Sequence, residues 1–132
     1  MNTTSLRNAL KSALSDALSG YNVAWPGVDY SGTRPFVEIT FPVADRTGGA
    51  LKGNQFKHET GRMSAVVVTE SGIGENDALS IADLIDTFFP EGRKIMFTGG
   101  VITVTHPLDI RGGYTTEYDY RVPCIIRYLA SF

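Results

Sequence analysis

Near the end of the chain apolar and polar residues alternate. Tyr118, Tyr120, Val122, Cys124, Ile126 and Tyr128 share one face, and Glu117, Asp119, Arg121, Ile125 and Arg127 share the other. A period of two sustained this long is a half-buried β-strand. Such a strand needs partners in a sheet and a second layer over its apolar face, so it dictates a layered domain. Pro123 has no amide hydrogen to give to a ladder. The spacing therefore predicts that this strand lies at an edge there or carries a bulge.

Two segments can supply the second layer. Over residues 4–19, Leu6, Ala9, Leu10, Ala13, Leu14, Ala17 and Leu18 recur at helical spacing, with Asn8, Ser12, Ser15 and Ser19 on the remaining face. Gly20 is placed to end that helix in the left-handed conformation. Over residues 75–88, Ala78, Ile81, Ala82, Ile85 and Phe88 form the apolar stripe while Asp83 and Asp86 face water. Glu75 and Asp77 suit the first turn of this helix, where the dipole favours negative charge, and Pro90 stops it.

The remaining strands follow from alternation and β-branching. Phe36–Phe41 places Val37, Ile39 and Phe41 on one face, and Met63–Thr69 contains the run Val66-Val67-Val68. Lys94–Phe97 and Val101–Thr105 flank the glycine turn Thr98-Gly99-Gly100. Residues 21–35 and His106–Thr115 read as turns and loop. The expected fold is α+β: a two-layer sandwich with two helices on one face of a sheet of about five strands, mixed but mostly antiparallel. Leu10, Leu14, Ile81, Ile85, Val37, Ile39, Val67, Val122 and Cys124 should share its core.

Residues 42–61 do not fit a small domain easily. They are rich in turn formers and poor in apolar residues, and a segment of this kind is an extended hairpin or a functional loop. Arg46, Lys52, Lys57, His58 and Arg62 sit in it or beside it. We expect a projecting arm whose cations meet a neighbour, with these five residues as the candidate interface.

With 132 residues, there is room for one domain, 1–132. A formal net charge of −2 offers no broad electrostatic attraction for nucleic acid or acidic lipid. No stretch approaches the roughly 18 apolar residues of a membrane span, and no targeting segment is visible, so the chain is expected to stay in the cytoplasm that makes it unless a larger assembly carries it out.

Each catalytic signature the sequence hints at is incomplete. Gly72-Ile73-Gly74 stands between a strand and a helix, but Asp77 occupies the third glycine position of a dinucleotide fingerprint. Gly48 and Gly53 have the outer spacing of a phosphate loop, yet Asn54-Gln55 replaces its lysine and hydroxyl. His58 and His106 are the two imidazoles, and neither has a neighbour at metal-ligand spacing. Cys124 lies in the apolar phase of the last strand, where a cysteine packs as a small hydrophobe. A lone cysteine also excludes an intrachain disulfide. No catalytic, cofactor or metal residue is assigned.

Taken as an ordered whole, the chain resembles the tail terminator (tail completion) proteins of long-tailed bacteriophages. The resemblance runs through the first helix, Ala24-Trp25-Pro26-Gly27, Phe36-Val37-Glu38-Ile39 and the polar loop to Arg62. It continues through Ser64–Thr69, Gly72-Ile73-Gly74, the helix with Ala78, Ala82, Leu84 and Ile85, Phe89-Pro90-Glu91-Gly92, Gly99-Gly100 and the ending from Val122-Pro123 to Tyr128-Leu129-Ala130. It implies a structural virion protein that forms a ring, typically a hexamer, on the head-proximal end of the tail tube. That ring would stop tube polymerisation and dock the head connector, with the tube protein and connector as partners and DNA passing through the lumen without sequence-specific binding. The family has no catalytic residues to carry over. Other small head–tail connector or tube proteins share this general build, and a small-ligand-binding α+β domain is the alternative from a different class.

Overall fold

A computed structural model of the chain describes residues 3–27, 30, 32–42, 45–47 and 58–131. In order the elements are α1 (Thr3–Ala17), β1 (Asn22–Ala24), β2 (Phe36–Thr40), β3 (Asp45–Thr47), β4 (His58–Glu70) and α2 (Asn76–Phe88). They continue as β5 (Lys94–Phe97), β6 (Gly100–Val104), β7 (Asp109–Ile110), β8 (Tyr114–Thr115) and β9 (Asp119–Ser131). The main sheet has the order β1-β2-β4-β9-β6-β5, with β3 added to β4 and with β7 and β8 added to β9. Among the described strands β1 and β2 are parallel and every other pair is antiparallel.

The spine is the ladder of β4 with β9, each 13 residues long, registered from His58 opposite Ser131 to Glu70 opposite Asp119. Every second residue of β9 from Val122 to Ala130 is buried, as the alternation requires. Both helices lie over that face and bury Leu6, Leu10, Leu14, Ala78, Ile81 and Ile85 against Val37, Ile39, Met63, Val67, Val122, Cys124 and Ile126. Each fully covered leucine or isoleucine contributes about 1.5–3 kcal/mol of transfer free energy. Asn8, Ser12, Ser15 and Ser19 face water, so the first helix presents the stripe its spacing describes.

The structure departs from the sequence reading in several places. The sheet has nine strands among the described residues rather than about five. Four of them are two or three residues long, too short to leave a periodic signal. Thus residues 21–35 contribute β1, and His106–Thr115 is not simply a loop, because β7 and β8 flank β9 there.

Pro123 does not lie on an edge strand; the irregularity beside it is between β7 and β8, where residues 111–113 stand opposite 122–123 of β9. Pro123 stands opposite Val66 in the central ladder, and its carbonyl accepts from the Arg111 amide. An antiparallel residue points its N–H and C=O to one side. The missing donor therefore faces the break between β7 and β8.

Phe88 is 37% exposed and Phe89 is buried instead. The helix ends at Phe88, and Phe89 leaves it with φ −124° and ψ 59°, which turns its ring inward. Gly20 is not among the positive-φ glycines. After α1 the Tyr21 amide donates to the Leu18 carbonyl at 2.9 Å, so a tight turn ends the helix without a left-handed residue.

Candidate assembly surface

The sheet face away from the helices carries the side chains of interest. On β4 it shows His58, Thr60, Arg62, Ser64 and Val66; on β9 it shows Arg121, Pro123, Ile125, Arg127 and Leu129. The β9 residues are half-buried rather than covered, because both described helices lie on the other side. Val68 is the exception and is fully buried. It lies between Phe36 and Arg121 in register, and Tyr30 packs at a tilt against Phe36 at 4.6 Å between ring centroids.

One end of this face is held by alternating charges. Arg34 pairs with Asp119, Asp119 with Arg121 at 3.3 Å, and Arg121 with Glu38 at 3.5 Å. Pairs this exposed contribute about 0–1 kcal/mol each. Their effect is to tie the segment before β2 to the start of β9.

Further along the same face charge is unbalanced. Arg62 and Arg127 stand directly opposite each other in the β4–β9 register. Like charges so placed repel. Arg127 donates to Asp109 at 3.3 Å and Arg111 donates to the same carboxylate at 3.0 Å. No carboxylate among the described residues pairs with Arg62. The two arginines and His106 line an open cleft of about 380 Å³ with Thr60, Thr105 and Tyr128.

The five candidate interface residues separate into three groups. Arg62 is exposed in this cleft. His58 begins β4, half-buried, its Nδ1 3.2 Å from the Ser131 hydroxyl. Arg46 lies in β3, where its backbone pairs with Glu59. Lys52 and Lys57 lie outside the described residues. The described ends of the 42–61 segment form an antiparallel ladder, Asp45–Thr47 against His58–Thr60, which prolongs the sheet. Sequence reasoning overlooked Arg127, Asp109 and His106 as neighbours of Arg62. Arg127 was legible as an outward charge, but its register with Arg62 was not.

The candidate chemistry reads as structure. His58 and Arg62 share a strand face four residues apart, about 13 Å at the usual rise, and His106 sits in the cleft with Arg62. Gly72 and Gly74 adopt φ of +88° and +86°, forming the turn that leads into α2. Burial, reinforced by the Asp109 charge, pushes the Cys124 thiol up to about 12, far from thiolate chemistry at neutral pH. The Tyr120 phenol is raised by desolvation and by Glu75, whose Oε2 it approaches at 3.4 Å. Glu59 is 3% exposed on the core side and accepts from the Tyr128 hydroxyl at 3.1 Å. A buried carboxylate needs such donors.

The family model described as "Phage tail terminator protein" matches residues 5–128. Comparison with curated proteins returns no match. A solved chain whose title states no function is 19% identical with a TM-score of 0.76, the alignment covering 96% of each chain. A chain from a structure titled as the virion of a native gene transfer agent particle is 14% identical with a TM-score of 0.60, covering 97% of this chain and 92% of that one. At these identities the two structures speak to fold alone.

Proposed function

The chain belongs to the phage tail terminator family, a family of structural tail proteins, and from that premise we propose that it forms a ring on the head-proximal end of the tail tube. The observation that carries this reading is the family match over nearly the whole described domain, residues 5–128. The ring, which we take as a hexamer, ends tube polymerisation and offers its far side to the head connector. DNA passes through its lumen without sequence-specific contact. The protein acts by contact and not by catalysis, and the buried Cys124 with its raised pKa accords with that.

The domain is read as one unit, 1–132, with residues 42–61 as an arm. Arg46, Lys52, Lys57, His58 and Arg62 are proposed to meet a neighbouring subunit or the tube. Solvent-exposed cations steer and register an assembly more than they hold it. Negative-stain imaging of the purified chain mixed with tail tubes tests the proposal. Rings seated on one tube end, and tubes of fixed length, are the expected result. Tubes that keep growing in the presence of the folded protein, or its absence from assembled virions, would overturn it.

A further inference from the structure

Two surfaces of this molecule are electrostatically unsatisfied in opposite senses, and they lie on opposite layers. One is the cleft of the open sheet face, where Arg62 and Arg127 oppose each other and Arg111 and Arg127 share the single carboxylate of Asp109. The other is the solvent face of α2. Asp77, Asp83 and Asp86 are exposed there, and α2 contains no basic residue. Asp83 and Asp86 are neighbours at i, i+3, where like charges repel. They also lie toward the C-terminal end of the helix, where the dipole disfavours negative charge. Arg93 donates to the Phe88 carbonyl and so answers the helix end. No cation among the described residues forms an ion pair with either aspartate.

Local conflicts of this kind are expected where a sequence serves a contact that a lone subunit lacks. We propose that the acidic face of α2 in one copy docks onto the Arg62–Arg127 cleft of the next. This deepens the ring reading and rests on it. Because the two surfaces differ and lie on opposite layers, the contact is head-to-tail and not a twofold dimer, the kind of contact from which a ring is built when its rotation closes. The cleft, about 380 Å³ and open, suits one or two carboxylates. Duplex DNA fits it less well. A phosphate track calls for a line of cations, and here Arg127 is already shared with a carboxylate, Asp109, in a chain of net charge −2.

The test is a charge swap in the whole chain. Arg62→Glu reverses the cleft without removing an observed ion pair, and Asp83→Arg with Asp86→Arg reverses the helix face. Assembly on tail tubes is followed by sedimentation and negative stain at low and moderate salt, with circular dichroism as the folding control. Each one-sided reversal should raise the concentration for half-assembly at least tenfold. The chain carrying all three changes should recover most of that loss, and wild-type assembly should weaken as salt rises. If a reversal does not fold, the neutral changes Arg62→Gln and Asp83→Asn with Asp86→Asn should each give a smaller loss in the same direction. Wild-type rings with unaltered assembly of folded variants would overturn the contact and leave the ring reading standing. No wild-type ring would overturn both. Loss of duplex DNA retention in Arg62→Glu with assembly unchanged would reassign the cleft to DNA.

Discussion

At the residue scale the core behaves as its spacing requires. Leu14 and Ile85 are fully buried, one in each helix, and both join the cluster over the sheet. Truncating either to Ala should lower unfolding free energy by about 2–5 kcal/mol, read from denaturant melts, since transfer and cavity terms add. Cys124 permits a pH prediction. Its folded pKa is raised to about 12 from the ordinary 9.0, so between those values only the unfolded chain releases the proton. Stability should therefore fall as pH rises through that window, by up to about 1.4 kcal/mol per pH unit, while below it the residue contributes no slope. Melts of Cys124→Ala should lack this component. Folded protein at pH 8 should also resist alkylation that proceeds readily in denaturant.

At the element scale the β5–β6 hairpin shows why its glycines stand where they do. Gly99 has φ +101°, and a Cβ on Gly100 would lie 2.2 Å from the Ser131 carbonyl oxygen. Backbone cannot yield as a flexible side chain can, so Gly100→Ala should cost about 1–3 kcal/mol. Gly112 has open space around it and no positive φ, so Gly112→Ala should be neutral or stabilise by up to about 1 kcal/mol through the unfolded chain. Paired thermal melts of the two variants decide it. The proposed arm, residues 42–61, belongs to this scale as well. Its ladder extends the sheet from β3 and β4, and its cations at Lys52 and Lys57 lie beyond the described ends. Lys52→Glu with Lys57→Glu should leave thermal stability unchanged and give overlong or headless tails. Wild-type phage yield from that double variant would show that the arm has no role in assembly, and failure to fold would show that it belongs to the core.

At the scale of the whole molecule, a two-layer sandwich leaves one sheet face and one helix face without partners. Isolated surface pairs contribute little, so the Arg34–Asp119–Arg121–Glu38 chain organises the open face more than it stabilises it. An assembly held through such surfaces should dissociate with salt at a fold that persists. Scattering and circular dichroism on one salt titration should therefore show loss of large particles before any loss of helix signal. Coincident loss would mean that folding and association are one process.

The sequence alone determined the two helices, the strand segments Phe36–Phe41 and Met63–Thr69, the long last strand, the α+β class and the core positions named from them. These follow from periodicities of 3.6 and 2, and hydrophobic burial reads those patterns directly. It also carried the family resemblance, in the order of its pieces. Tertiary structure alone decided what depends on register and on distant partners. Strands of two or three residues form because β9, β4 or β2 offers a free flank, not because of their own pattern. Pro123 is tolerated at the centre because a gap between β7 and β8 faces it. Phe89 and not Phe88 is buried, because Phe88 is the last helical residue and Phe89 leaves the helix with non-helical dihedrals. Arg62 meets Arg127 through a pairing across 65 residues of chain, and no local spacing encodes which strand will lie beside which.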